Sequence, residues 1–273
     1  MDPLESESAN RAVVGRVAYL DVTAVKGFTV VTADRITVTE TGVLGNREFF
    51  FVEPTGRLYS VDVDSGLLPY WSHYEPSTNR LSIGKGADQI FDEPVPTDGR
   101  TAEFDFESAR RPGRFVPGPW DEWASSVTGR TLALVRSVEP GGAYDTYPLT
   151  LQTEASLAAL GVEADGSPID RRRFRMQLTL AEVDSAFVED NWAQRRARVG
   201  GCLIRIGGPV PRCVGAEHNP TDLSRTVKVL QTINQVRGPG FGEFGRGLMF
   251  GVYASVLEPG VISVGDALAL DPA

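Results

Sequence analysis

The sequence predicts a mainly β protein with a few helices, a β-barrel-based α+β fold. Two observations carry this. Short β-branched and aromatic runs recur about every ten residues with glycine or proline between them, and only three stretches have helical periodicity. At 273 residues the chain can bury one large core or two modest ones.

The first half reads as strands at 13–22, 28–32, 35–39 and 48–53, separated by Gly27, Gly42, Gly45 and the turn Pro54-Thr55-Gly56. That turn predicts a hairpin between 49–52 and 58–61. Asp98-Gly99 and Pro112-Gly113 mark loops. A small antiparallel barrel or sandwich is expected there. Helices are predicted at 120–128, where Trp120, Trp123, Ala124 and Val127 form one stripe before Gly129, and at 153–160, with Thr153 as N-cap. A third is predicted over 222–236, and strands return over 250–270. The division is expected between 100 and 120, giving an N-terminal β-barrel-like domain at 1–110 and a second β-barrel domain at 111–273.

With 41% hydrophobic and 23% charged residues, the composition is that of an ordinary globular protein. A net charge of −9 argues against partners that are nucleic acid or an anionic membrane surface. Two cysteines do not make a disulfide framework, and no Cys/His cluster has zinc spacing. The start lacks a secretory pattern and no apolar run approaches membrane-spanning length, so a cytoplasmic protein with free thiols is expected.

Cys213 follows Arg212 at the end of Gly207-Gly208-Pro209-Val210-Pro211, after a strand-like run. A neighbouring cation favours the thiolate, which attacks electrophiles and binds soft metals. A lone cysteine in a β-rich protein is more often inert core filling.

Uncommon strings occur in order along the chain. They are Gly45-Asn46-Arg47, Tyr144-Asp145-Thr146, Arg173-Phe174-Arg175, Glu189-Asp190-Asn191-Trp192, Pro211-Arg212-Cys213, Phe250-Gly251-Val252-Tyr253 and Gly260-Val261-Ile262-Ser263-Val264-Gly265-Asp266. Over about residues 13–270 the series resembles MOSC domain proteins. The branch it is most similar to carries an N-terminal β-barrel domain and includes the mitochondrial amidoxime-reducing component. The resemblance implies a molybdenum cofactor, a pterin dithiolene (molybdopterin), with Cys213 as catalytic metal ligand. It implies that Arg47 and Arg175 grip the cofactor phosphate, with Arg212 beside the metal ligand. Guanidinium forks suit that role because they bond two oxygens at once. Tyr144, Asp145 and Thr146 match a loop touching the pterin, and Tyr253 a cofactor-contacting tyrosine.

Each has a plainer reading. Arg47 fits a surface strand, 171–175 a solvated basic run, Asp145 a turn, and Tyr253 the core; Trp123 and Trp192 read as packing residues. The sequence also departs from the family. Thr23 and Ala24 stand where the family has a Lys-Ser pair, which implies the loss of an ammonium and a hydroxyl, about 1.5–3 kcal/mol each for charge-assisted bonds. Met176-Gln177 replaces a Pro-Asn pair, and His218 is a candidate proton donor in an altered loop. Three functions follow. The first is a molybdenum-dependent oxidoreductase reducing an N-hydroxylated or N-oxygenated small-molecule substrate, with a separate reductase or ferredoxin as electron donor. The second is a sulfur or cofactor carrier, and the third a metal-free scaffold for small-molecule metabolism.

Overall fold

Seven strands close into a barrel in the computed structural model, which describes residues 11–163 and 165–272. They are β1 (Ala12–Val22), β2 (Leu149–Thr153), β3 (Leu178–Ala181), β4 (Arg196–Val199), β5 (Cys202–Pro211), β6 (Met249–Glu258) and β7 (Ala267–Leu270). Around the barrel the order is β1-β3-β2-β6-β5-β4-β7, returning to β1. Closure leaves these seven without an open edge. The β2–β3 pair is parallel, so the chain must cross over between them. That crossover holds α2 (Glu154–Ala159), whose N-cap Thr153 accepts from the Ser156 N–H as expected, and the 3₁₀ turn Arg171–Phe174.

Alternation puts Leu151, Leu178, Leu180, Ile204, Ile206 and Val252 inside the barrel. Val17 and Leu20 of β1 are three apart and both buried, which strict alternation forbids. A register shift between Val17 and Tyr19 resolves it.

A second core lies outside the barrel. Strands Phe49–Val52, Ala133–Ser137, Arg110–Phe115 and Thr101–Asp105 form an antiparallel sheet in that order, and Tyr70–Glu75, Arg80–Lys85 and Asp88–Pro94 form another. The run Phe49-Phe50-Phe51-Val52 is apolar throughout because both its faces are covered. Phe49 and Phe51 meet Phe28, Leu67 and Trp120, while Phe50 and Val52 meet Phe104 and Val135. Helix α1 (Pro119–Thr128) buries Trp120 and Ala124 here and ends on left-handed Gly129. Trp123 packs edge-on to Tyr70, and Trp192 is buried beside the barrel, so both are packing residues.

The fold class is as expected; several bounds are not. In the structure β1 belongs to the barrel, and residues through Leu134 pack into the other core. The hairpin after Phe49–Val52 closes through Glu53, and Tyr59 donates its N–H to the Phe51 carbonyl, without a regular second strand. Helix α3 spans Val229–Arg237 and starts later than the periodicity suggests. Asp222 spends its side chain on the Ser224 N–H, which holds a turn.

Asp121, in the first turn of α1, accepts the Leu134 N–H at 2.7 Å, and burial pushes its carboxyl up to about 6. Because the folded-state value is raised, this group's stabilisation is complete below its unfolded value and is lost as pH rises through about 6. Asp121→Asn keeps the acceptor and removes the charge. After solvent screening, the variant is expected to gain about 1–2 kcal/mol over the parent at pH 8 and nothing near pH 4. Urea unfolding midpoints at several pH values check this; a gap independent of pH refutes it.

Candidate functional site

Backbone interactions at the junction of the two cores assemble the site. The Asn46 side chain accepts the Thr23 N–H at 2.9 Å, and the Arg47 N–H donates to the Thr23 carbonyl at 2.6 Å. Lys26 donates its N–H to the Phe49 carbonyl at 2.8 Å. The Asp145 carbonyl accepts the Ser108 hydroxyl at 2.6 Å, tying the 140–147 loop to the loop after Thr101–Asp105. Arg47 and Arg175 both adopt left-handed backbone with φ 50°. Such a conformation costs a non-glycine residue roughly 1–2 kcal/mol and marks positions where the surrounding structure dictates side-chain direction.

Arg175 ends the 3₁₀ turn Arg171–Phe174. Its carbonyl accepts from Arg47 Nη2 at 3.0 Å, while Arg212 Nη2 donates to the Phe174 carbonyl at 2.6 Å. The three guanidiniums lie near enough to repel one another, and those of Arg47 and Arg212 bond to backbone carbonyls. Burial, then neighbouring cations, pulls Arg212 down to about 10. Burial likewise lowers Arg47 and Arg175, although the charges at Asp145, and at Cys213 for Arg175, oppose it. Arg175 Nη1 and Arg212 Nε are buried and lack a partner.

Cys213 stands in the open at the end of β5, heading the 3₁₀ turn Val214–Glu217. A Cβ on Gly215 would lie 3.4 Å from Cys213 Sγ and 3.5 Å from Arg175 Nη2, so thiol and guanidinium approach one spot. Cys202, by contrast, is buried, and burial pushes its thiol up to about 11.

Two adjoining cavities of about 270 and 240 Å³ share Arg47, Glu107, Asp145, Arg175 and Cys213 in their walls. The larger also meets Thr146, Arg212 and Tyr253, so seven of the eight expected site residues converge. Tyr144 does not. It lines neither cavity, and its ring lies 4.0 Å under the Arg111 guanidinium.

The basic run divides. Arg171 pairs with Asp21 at 2.9 Å, Arg172 with Asp170 at 2.6 Å and Arg173 with Glu163 at 2.7 Å. Those three are structural, which leaves Arg175 for the cavity. His218 lines neither cavity, and its ring is pushed to lower pKa by burial. Gln177 accepts the Thr150 N–H at 2.9 Å inside the barrel, and the Thr23 hydroxyl bonds to Ser72 and the Val25 carbonyl.

Thr23 carries no ammonium, but Lys26, three positions along, brings one to the smaller cavity. Its Nζ lies 2.5 Å from Asp145 Oδ2 in the wall of the smaller cavity. Burial lowers the Lys26 pKa against the pull of Asp145. Asp145 is also penalised by burial, but Lys26, Arg47 and Arg175 outweigh this and hold its carboxyl below the usual range. A basic residue in an apolar stretch, three positions from the expected one, was the available signal. Sequence reasoning also missed Tyr147, which stacks on Tyr253 at 4.9 Å, and Glu107.

A wider concavity of about 1120 Å³ lies beside Arg171 and Arg172, but those charges are already paired with Asp21 and Asp170. Among the described residues no three His, Cys, Asp or Glu side chains gather to hold a metal, so the protein offers a metal at the cavity one strong ligand, Cys213. Among the described residues no helix is long and apolar enough to cross a membrane.

Comparison with known proteins identifies part of the chain. Residues 140–269 match the MOSC domain, a family associated with molybdenum-cofactor-binding proteins. No curated protein sequence matches. Among solved structures, YuaD from Bacillus subtilis is similar over 96% of this chain and 97% of its own, at 9% identity and a TM-score of 0.45. YiiM from Geobacillus stearothermophilus is similar over 45% of this chain and 54% of its own, at 21% identity and a TM-score of 0.33. The barrel that β1 closes, with the exposed thiol at the end of β5, is thus the setting of a MOSC domain at residues 140–269.

Proposed function

We propose that the junction cavity binds a molybdenum–pterin cofactor and that the loaded protein reduces N-hydroxylated or N-oxygenated small molecules. One observation carries the proposal: an exposed thiol beside buried guanidiniums that still have unpartnered N–H donors. The residues fit the group. Arg175 and Arg212 have free donors for a phosphate, and Lys26 supplies a further cation. Cys213 is a soft ligand on an open wall. The bound cofactor would supply two-electron transfer.

The chain's own residues bind and orient. Arg47, Arg175 and Arg212 hold the anionic end, and Asp145 fixes Lys26 among them. The Tyr147–Tyr253 stack gives a flat wall. Burial and the nearby Asp145 and Asp62 charges raise the pKa of Glu107 against the pull of Lys26, and its carboxyl stands in the walls of both cavities. Converting an amidoxime to an amidine and water consumes two electrons and two protons. The electrons come from a separate reductase or ferredoxin. The similarity of the ordered motifs to the amidoxime-reducing branch supports this choice of substrate.

Protein made in a molybdate-replete host is expected to carry molybdenum and pterin in equal amounts and to turn over an amidoxime with an artificial reductant. Loaded protein without turnover would indicate a carrier; absence of both metal and pterin would indicate a metal-free scaffold.

A further inference from the structure

Beyond the cavity wall the chain folds a short ribbon, Gly240–Gly242 paired antiparallel with Gly245–Gly247 around the turn Glu243-Phe244. Its glycines lie at the contacts. A Cβ on Gly240 would stand 3.2 Å from Met249 Cγ, and one on Gly242 would stand 3.1 Å from both Met249 Cε and the Pro209 carbonyl oxygen. One face of the ribbon therefore lies flat on the barrel wall. Alternation turns the intervening Phe241 away from it. Phe241 is 77% exposed and Phe244 48%; among the described residues no other phenylalanine is exposed.

The ribbon is linked to the cavity. Tyr147, which lines it and stacks on Tyr253, donates its hydroxyl to Glu243 at 2.8 Å. A Cβ on Gly247 would lie 3.6 Å from Pro211, another lining residue. The cavity itself is walled chiefly by charged and polar groups, which give an apolar substrate body little to pack against. Phe241 and Phe244, exposed on the ribbon that Glu243 ties to the lining residue Tyr147, offer such a surface.

We infer that ribbon 240–247 is a substrate-recognition arm, with Phe241 and Phe244 packing against an apolar, ring-sized substrate body and the Tyr147–Glu243 bond setting the arm beside the cavity. The inference rests on the small-molecule reading above and adds the substrate class: N-oxygenated compounds with an apolar ring in preference to short aliphatic ones. Closure exchanges ring contact with water for ring contact with ligand.

The test uses full-length, cofactor-loaded protein and two probes, benzamidoxime and acetamidoxime, with the variant Phe241→Ser/Phe244→Ser. Both rings are solvated, so the variant is expected to fold. Calorimetry is expected to show benzamidoxime binding at least about tenfold tighter than acetamidoxime in the parent, with that margin lost in the variant. Tryptic cleavage after Arg246, followed by mass spectrometry, is expected to slow with benzamidoxime in the parent alone. Equal affinity in parent and variant, or no binding of benzamidoxime, overturns the inference. So does a variant defective only when a protein donor replaces a chemical reductant, which would make the ribbon a partner-docking element. Turnover is measured separately: ligand-dependent protection without turnover leaves the arm in place and removes the reductase reading.

Discussion

Cys213→Ser protein is expected to lose bound molybdenum and at least about 100-fold of turnover, since removing even outer-shell partners of a metal ligand costs 10–100-fold. A hydroxyl is harder and far less readily ionised than a thiol, so it is a poor substitute on a soft metal. The thiol is exposed and packs into neither core. Folding stability should therefore change by no more than about 0.5 kcal/mol. Cys202→Ala is the control. Cys202 lies in the barrel core, and burial keeps its thiol protonated up to about 11. That variant should lose about 1–2 kcal/mol of stability through the cavity it leaves and keep its metal. Metal analysis beside urea unfolding separates the two; full metal content in Cys213→Ser protein would end the ligand assignment.

Arg212→Gln is expected to cut anion affinity about 10–100-fold while leaving the unliganded protein within about 1 kcal/mol of the parent, because opposing effects meet at this residue. Burial and the adjacent Arg175 hold Arg212 down to about 10, so its charge is costly in the folded state at neutral pH. For a base with a lowered folded value, that cost is full at neutral pH and eases only as pH rises above about 10. Removing the charge relieves the cost, and losing the 2.6 Å bond to the Phe174 carbonyl offsets the relief. A bound phosphate would engage the unpartnered Nε and nearby Arg175 Nη1. The measurement is thermal unfolding with and without inorganic phosphate. At a hundred times its Kd, phosphate stabilises a protein by about 2.7 kcal/mol, and at the same concentration this gain should fall to about 0.4–1.4 kcal/mol in the variant. An equal phosphate response in both proteins refutes the anion site.

Much of the local structure was legible because helix and strand periodicity are local. Phe49-Phe50-Phe51-Val52, the N-cap Thr153 and the Trp120 stripe needed only neighbouring residues to declare themselves, and each appears in the structure where expected. The long-range pairings of β1 were not legible. It pairs with the following Val31–Ala33 and also with β3 and β7, more than 150 residues away, and the distant pairings leave no local mark. Lys26 was hidden for a related reason. The Arg47 N–H bond to Thr23 and the Lys26 N–H bond to Phe49 bring its ammonium to Asp145, whereas a positional match at Thr23 registered only its absence.

By itself, then, the sequence determined a β-rich barrel protein and named Cys213 with the residues that gather around it, because residue type and order carry that information. Only the tertiary structure decided which arginine of the run 171–175 serves the cavity. Arg171 finds Asp21 in a distant strand, Arg172 and Arg173 find the nearer Asp170 and Glu163, and Arg175, with its left-handed backbone, is left facing the thiol. Pairing among charges is a property of distances, and distances exist only once the chain has closed its barrel.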